Sequence, residues 1–484
     1  MTSALQRVRS AARPVADRVK PLAKSAIGTA VRSRSTGNTL TPEVWGLDRD
    51  EAGRLRVQGT PVTELVERHG GPLHIVDGSA LRRNAARFLQ AGPDGKPLVE
   101  AYYSYKSNPV PGVLQLLDRC GVGAEVTSHY ELWLALQIGV APEHIIFNGP
   151  GKSDEGIRLA VERGIQILNI NQLEEVERIA AACRELGRRA RVGIRVSTSS
   201  TWQGQFATLA EDALEVFLAA RETGVLDVVG LHQHIGGHIG SVERLVKPVD
   251  EVLDFVAMLE DEHGFALEII NLGGGLAVPT TYNFTAKDHK HNVHYGKALP
   301  VPSARSGLSI EDFVTLTHAH VVKRYEDRGR PMPRIMLEPG RGMTANTQML
   351  ATKVLTERTT PERDFLFLDA GINVLPGFVS EYHHIFVADR APGAVDDHAY
   401  RLVGPTCAPW DTLLHCWYGP ELHTGDSLVV MDTGAYFVPM ATTFSFAEPG
   451  ILLVDEGREV MLRRGESFTD IIALDKGADG QDLV

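Results

Sequence analysis

Eight short apolar segments, separated by stretches with a helical pattern, limit most strongly what this chain can fold into. They occupy residues 100–105, 123–128, 144–149, 166–171, 191–196, 228–236, 267–275 and 333–340. Strands that alternate with helices pair in parallel, and eight such units in about 260 residues match a closed (β/α)8 barrel. Because periodicity does not show closure, an open doubly wound sheet is the competing interpretation. We predict an α/β barrel over residues 73–345.

The chain changes character on both sides of this region. After residue 345, strand-like runs broken by turns replace the helical pattern, and residues 38–72 contain a short segment that could join them. We therefore expect residues 38–72 and 346–484 to form one β-rich domain, of Greek-key or sandwich type. A chain of 484 residues is too long for one ordinary core, which agrees with two domains.

Residues 1–37 have a composition of their own. They contain eight Lys and Arg residues and one acid, whereas the net charge of the whole chain is −12. Prolines at positions 14 and 21 would interrupt a long helix, and the segment lacks the apolar core of a secretory signal. We expect a basic, disordered arm, and the alternative is an arm that docks on an acidic partner.

Composition argues against several classes of function. A net charge of −12 disfavours nucleic-acid binding, which needs a basic surface opposite the phosphates. No apolar run is long enough to span a bilayer, so we expect no membrane-spanning helix. The four cysteines form no CxxC pair, which predicts a reducing, cytoplasmic location with neither disulfides nor a structural zinc site.

A long connection, residues 276–308, lacks clear periodicity. Such loops at the active face of a barrel are often functional lids. His289, His291 and His294 lie in it, and only Asp288 is an adjacent acid. We expect a solvated polar loop here and no metal site.

In a barrel, chemistry takes place where the strands end, so the residues at the strand ends are the candidate site. They are Lys106, Glu125, Arg195, His232, His234, Gly273, Gly274, Gly275, Glu338, Gly340 and Arg341. Three consecutive glycines allow backbone N–H groups to approach an anion closely. A lysine, a glutamate, a histidine and a phosphate cradle at one mouth suggest pyridoxal 5'-phosphate, with Lys106 as the Schiff-base lysine. Taken singly, a strand-end lysine is more often solvated and a strand-end glutamate more often forms a salt bridge.

Seven short motifs resemble those of the fold-type III pyridoxal-phosphate decarboxylases, the family of the diaminopimelate and ornithine decarboxylases. In chain order they are YSYKSN (103–108), EVTSHYEL (125–132), HQHIGG (232–237), NLGGGL (271–276), EPGR (338–341), GPTCAPWD (404–411) and DTGAY (432–436). The resemblance extends from about residue 60 to residue 446. It implies a lyase that acts at Cα of an amino acid and works as a homodimer with shared active sites.

The resemblance also implies a role for each matched residue. Lys106 would carry the cofactor, His234 would stack on its ring and Glu338 would pair with its pyridine nitrogen. Arg195 would lie near the phenolic oxygen of the cofactor. The phosphate would be held by a group of residues from three motifs, namely Gly273, Gly274, Gly275, Gly340, Arg341 and Tyr436.

Cys407 would come from the partner subunit and protonate Cα after CO₂ has left, a task for which a thiol has a suitable pKa. Without the resemblance, a buried small hydrophobic residue is the commoner role of a cysteine.

Two anchors that diaminopimelate decarboxylases use for the far end of the substrate lack a counterpart in this chain. The acid that follows the family's cysteine is replaced by Ala408, and its arginine–proline pair is replaced by Leu375–Pro376. Unpaired charges of a distal ammonium and carboxylate would be costly in such a site. We therefore predict a modified, conjugated or carrier-bound amino acid as substrate. The candidates for contact with its far end are Ala408, Trp410 and Asp411.

Other substrates and activities are alternatives. The basic arm, residues 1–37, would suit an acidic carrier protein. The first alternative substrate is meso-diaminopimelate. The second alternative is an amino-acid racemase similar to alanine racemase, which shares the barrel and the lysine. That family typically places an arginine at the pyridine nitrogen, so Glu338 argues against it.

Overall fold

The computed structural model describes residues 39–201, 205–391 and 398–483. The predicted basic arm, residues 1–37, therefore lies outside the described residues. The part that precedes the barrel contains three short strands, a helix and one longer strand: β1 (Asp48–Arg49), β2 (Leu55–Val57), β3 (Thr60–Pro61), α1 (Val62–His69) and β4 (Leu73–Asp77).

The barrel region begins with α2 (Gly78–Phe88). Its further elements are β5 (Glu100–Ser104), α3 (Pro111–Arg119), β6 (Gly123–Val126), α4 (His129–Gln137), β7 (Ile145–Phe147), α5 (Asp154–Arg163), β8 (Ile167–Ile170), α6 (Glu174–Leu186), β9 (Ala190–Ser197), β10 (Thr208–Leu209), α7 (Ala210–Glu222), β11 (Leu226–His232), α8 (Val242–Glu262), β12 (Ile269–Asn271), β13 (Tyr282–Asn283), α9 (Ala286–Tyr295), α10 (Ile310–Arg328), β14 (Arg334–Leu337) and α11 (Arg341–Thr344).

Eight of these strands close into a parallel barrel, so the predicted closure is confirmed and the open-sheet alternative is wrong. The order around the barrel is β5, β6, β7, β8, β9, β11, β12 and β14, and β14 pairs with β5. Each contains part of one of the eight apolar segments. Because all strands run in one direction, their carboxyl ends meet at a single mouth.

Local signals in the sequence explain where the barrel helices begin and end. The side chain of Ser153 accepts a hydrogen bond from the backbone of Gly156 and caps α5. Helix α6 ends at Gly187, which has a left-handed φ of 60° that a glycine adopts without strain.

The second domain is a sheet of mostly antiparallel strands. Its elements are β15 (Gln348–Thr359), β16 (Asp364–Leu368), β17 (Glu381–Tyr382), β18 (Ile385–Val387), β19 (His398–Val403), β20 (Thr412–Gly419), β21 (Ser427–Val430), β22 (Gly450–Asp455), β23 (Arg458–Arg463) and α12 (Phe468–Ile471). Leu55 and Val57 of β2 are fully buried in the same apolar cluster as Leu350 and Leu428. The predicted fold class, a barrel with a β-rich second domain, is confirmed.

Strand β4 corrects the predicted domain boundary. It pairs with β15 on one side and with β22 on the other, so it lies inside the second sheet. The following helix, α2, contacts α3 and α10 of the barrel. The barrel therefore begins about five residues after position 73, because a buried strand followed by a helix resembles a barrel unit in sequence.

The segment 276–308 is more ordered than its sequence indicates. A reciprocal capping box between Thr285 and Asp288 starts helix α9, and Gly296 ends it. His289 stacks on Phe284 with ring centroids 5.8 Å apart. Helix α9 has only one buried residue, Asn292, which explains why no apolar periodicity marks it. The expectation of an irregular loop is corrected.

Two further features concern residues 39–201, 205–391 and 398–483. No helix in these ranges is both long enough and apolar enough to cross a membrane. Nor do the described side chains form a group of three or more His, Cys, Asp or Glu residues able to hold a metal ion.

Candidate active site

Lys106 follows the first barrel strand in a short turn, Tyr105–Ser107. It lines a cavity of about 490 Å³ at the mouth of the barrel, together with Glu125, Arg195, His234 and Glu338. The carboxylate of Glu125 raises the pKa of Lys106, and this effect outweighs the cost of desolvating the ammonium group. The mouth therefore holds a lysine among groups that stabilise positive charge on it.

Glu338 lies at the end of β14 and is 7% exposed. Its Oε1 accepts hydrogen bonds of 2.7 Å from Asn148 and from Asn271, and His232 Nε2 lies 3.4 Å from its Oε2. Burial raises the pKa of Glu338, but His232 and the two amides outweigh burial and leave this pKa well below its usual value. The structure thus keeps a buried carboxylate ionised inside the cavity.

A second carboxylate, Glu125, is connected to the same amide. Asn148 donates to Glu125 Oε1 over 2.9 Å, and Ser104 donates to Glu125 Oε2. Asn169 in turn donates to Asn148 Oδ1 over 2.7 Å, which fixes the orientation of the amide. Sequence analysis missed Asn148 and Asn169. Asn148 follows β7 and Asn169 lies near the end of β8. The other candidate residues lie at the ends of other barrel strands, so this position is the signal that could have identified both asparagines.

His234 contacts the glycine loop. Its Nδ1 lies 3.5 Å from the backbone N–H of Gly274, which donates to it. Burial lowers the pKa of His234 to about 4, so the imidazole is neutral near pH 7. A neutral, oriented ring at the cavity wall can stack on a flat ligand.

The glycine loop leaves no room for side chains. Gly273 and Gly275 have φ values of 69° and 105°, and a Cβ on Gly274 would lie 2.2 Å from the carbonyl oxygen of Glu338. A cavity of about 180 Å³ lies next to the loop. The residues that line it include Ser104, Lys106, Gly274, Gly275, Gly340, Arg341 and Tyr436. This cradle has the size and backbone approach that a phosphate group requires.

Arg341 lines the same cavity but already has an anionic partner. Its guanidinium forms two hydrogen bonds with Glu381, of 2.6 and 2.8 Å, and lies 5.2 Å from the ring centroid of Tyr436. Sequence analysis did not single out Glu381, since nothing local connects it to Arg341. The charge of Arg341 is thus balanced within the chain.

Arg195 also lines the larger cavity. Its guanidinium is 5.3 Å from the ring centroid of Phe206, which also lines the cavity. Burial lowers the pKa of Arg195 without bringing it near neutrality.

Four candidates of the second domain lie apart from Lys106. Cys407 and Trp410 are exposed, Ala408 is half-buried and Asp411 is buried. None of them is among the described residues that line the two cavities. Asp411 is 3% exposed and accepts hydrogen bonds from its own chain. The expectation that Asp411 contacts the substrate is therefore corrected.

The donor set at the mouth fits pyridoxal phosphate. The lysine, the ionised carboxylate, the neutral histidine and the glycine cradle all surround two connected cavities, with Lys106, His234 and Glu338 in the lining of both. Residues 79–345, more than half of the chain, match the family described as "Pyridoxal-dependent decarboxylase, pyridoxal binding domain". The chain belongs to this family, and it is a pyridoxal-phosphate-dependent decarboxylase of fold type III.

Relatives with similar sequences and structures are named diaminopimelate decarboxylases. The enzyme of Methanocaldococcus jannaschii is 28% identical over 444 residues, which are 87% of this chain and 95% of that protein. Its crystal structure in complex with L-lysine has a TM-score of 0.79, at 27% identity, and the match covers 90% of this chain and 98% of that one. The crystal structure of the Helicobacter pylori enzyme in complex with L-lysine has a TM-score of 0.72, at 26% identity, and the match covers 85% of this chain and 98% of that one.

Proposed function

We propose that this chain releases the α-carboxyl group of a small amino acid as CO₂, with pyridoxal phosphate bound at the barrel mouth. The observation that carries the proposal is the pair formed by Lys106 and the ionised, amide-held Glu338 in one cavity. A lysine can bind the aldehyde of the cofactor, and a fixed anion keeps a ring nitrogen protonated.

Each residue has a distinct task in this proposal. When bound, the cofactor supplies a sink for the electron pair that remains on Cα after CO₂ has left. Glu338 holds a proton on the ring nitrogen, because its carboxylate stays ionised among Asn148, Asn271 and His232. The backbone around the glycine loop binds the phosphate.

The comparisons favour meso-diaminopimelate over a carrier-bound substrate, since the relatives bear the name diaminopimelate decarboxylase. We take it as the first substrate to test. Nothing in these names supports a carrier protein, and residues 1–37, the predicted docking arm, lie outside the described residues.

A second candidate substrate is an amino acid with an uncharged far end. It is favoured by the pairing of Arg341 with Glu381 and by Leu375, which is fully buried. The charge of Arg341 is therefore already balanced, and an apolar residue stands where the arginine–proline pair of the family would place a cation.

The central assignment is tested by reducing the holoenzyme with borohydride. The wild-type chain should retain the cofactor covalently after denaturation, and the Lys106→Ala variant should not. Lys247→Ala removes a lysine whose side chain is 73% exposed on α8 and serves as the matched control. Cofactor retained by Lys106→Ala would contradict the proposal. CO₂ release from meso-diaminopimelate, lysine, ornithine and uncharged amino acids then identifies the substrate.

We further propose that two copies share each active site. Cys407 is exposed and lies outside the two cavities of its own chain, so a second copy would have to place it there. Mixing Lys106→Ala with Cys407→Ala, neither of which should form the amine product normally, should restore about a quarter of the wild-type rate of amine formation, because about half of the dimers are mixed and half of their sites are intact. No recovery after subunit exchange would contradict shared sites.

A further inference from the structure

The turn that carries Cys407 is built around one buried carboxylate. Asp411 Oδ2 accepts hydrogen bonds from the backbone N–H of Thr406 over 2.9 Å and from its hydroxyl over 2.6 Å. Asp411 Oδ1 accepts from the backbone N–H of Ile372 over 2.8 Å. Its own N–H donates to Ala408 over 2.9 Å. The carboxylate therefore ties the turn to the loop that follows β16.

Two glycines make space for this carboxylate. A Cβ on Gly371 would lie 2.6 Å from Asp411 Oδ1, and a Cβ on Gly404 would lie 2.4 Å from it. Real Cβ atoms do not approach so closely, so the surrounding backbone accommodates the carboxylate only because both positions lack side chains.

Cys407 lies at the outer side of this turn in a conformation that few residues adopt. Its φ is +53°, in the left-handed region, and its side chain is exposed. A non-glycine residue keeps such a backbone only where its surroundings enforce it. The hydrogen bonds of Asp411 to Thr406, the residue before Cys407, provide that constraint.

We infer that Asp411 is a positioning residue that fixes the direction in which Cys407 presents its thiol to the active site of a second copy. The inference rests on the proposed function, in which Cys407 delivers a proton to Cα. Asp411 itself does not contact the substrate, because its side chain is enclosed by its own chain.

The consequence concerns where a proton goes. If the thiol is misdirected, the electron pair left by CO₂ takes a proton on the aldehyde carbon of the cofactor instead of on Cα. After the loss of CO₂, water would release the substrate carbon as an aldehyde and leave pyridoxamine phosphate, so the amino group would end on the cofactor and the reaction would balance. Misdirection therefore changes the product and not only the rate.

The test compares Asp411→Asn with Cys407→Ala and with a matched control. Asp369 also accepts from a threonine hydroxyl and a backbone N–H, those of Thr352 and Lys353, so Asp369→Asn makes the same change elsewhere in the domain. We expect the aldehyde fraction to rise roughly tenfold or more in Asp411→Asn and in Cys407→Ala, and to stay at the wild-type value in Asp369→Asn.

Hydrogen exchange gives a readout that does not depend on turnover. The backbone amides of Thr406 and Ile372 should exchange roughly tenfold faster in Asp411→Asn, with no change around Thr352. Thr406→Val, which removes only the hydroxyl donor, should give a smaller shift in the same direction and serves if Asp411→Asn does not fold. A wild-type aldehyde fraction in Asp411→Asn, or in Thr406→Val where Asp411→Asn does not fold, overturns the inference. A wild-type aldehyde fraction in Cys407→Ala overturns both the proposed proton donor and the inference. The borohydride experiment with Lys106→Ala tests the binding of the cofactor separately.

Discussion

Replacing Gly274 by alanine adds one methyl group at a tightly packed point of the phosphate cradle. The new Cβ would lie 2.2 Å from the carbonyl oxygen of Glu338 and 3.1 Å from its carbonyl carbon. The backbone N–H of Glu338 already donates to Gly273 over 2.8 Å, so the loop and the end of β14 are bonded to each other. The methyl group therefore forces apart two segments that both line the site.

The size of the effect follows from this overlap. Cβ atoms stay at least 3.0 Å from backbone oxygens, so the carbonyl of Glu338 must move by about 0.8 Å. Overpacking of this kind costs about 1–3 kcal/mol. Each 1.4 kcal/mol is a factor of about ten in affinity, so we expect the cofactor to bind roughly 10- to 100-fold more weakly. The melting temperature should fall as well.

The assay is a titration of the apoenzyme with pyridoxal phosphate, followed by absorbance, together with thermal melting. Gly237→Ala is the matched control, since Gly237 lines both cavities and its added Cβ would have no atom within 4 Å. If Gly274→Ala bound the cofactor within threefold of wild type, the steric reasoning would be refuted.

Two further predictions concern buried ion pairs. Lys152→Met should destabilise the barrel by about 3–5 kcal/mol, because it leaves the carboxylate of Glu175, whose side chain is 1% exposed, without its cation. Adding Glu175→Leu to this variant should recover most of the lost stability. Urea unfolding measures both, and a double variant no more stable than the single one would contradict the reasoning. Burial raises the pKa of Glu381, but His383 and Arg341 outweigh burial and lower it to about 2. The stabilising contribution of Glu381 is therefore present above pH 4.5 and is lost as the pH falls toward 2. Between these pH values, the melting temperature of Glu381→Gln should depend less on pH than that of the wild-type chain.

The barrel was predictable because its strands are local signals. Each strand is a short apolar run that ends in a polar residue or a glycine, and a helical segment follows it. Strand β4 has the same local pattern, with five buried residues before a helix that Asp77 caps. Its membership of the other sheet depends on pairing with β15 and β22, which lie far along the chain. Local periodicity contains no information about such partners.

The candidate site was predictable only in part for a similar reason. Lys106, His234 and Glu338 were found because strand ends meet at one mouth, whichever residues lie between them. The amide of Asn148 was missed, since an asparagine after a strand is a common turn residue, and Asn271 was noted only as the first residue of the glycine motif. Their function arises from hydrogen bonds to Glu338, and these contacts exist only in the folded chain.

The place of β4 in the second sheet has a consequence for how the chain is made. Leu73 pairs with Ala351 on one side and with Gly450 on the other, and both partners are synthesised after the whole barrel. Until residue 450 has left the ribosome, β4 therefore remains a strand with at least one unpaired edge, although all five of its residues are buried in the finished fold. The barrel can form early, but the second sheet is complete only after β4 has paired with β22. A chain cut short before β22 would keep Lys106 and expose a strand that invites aggregation.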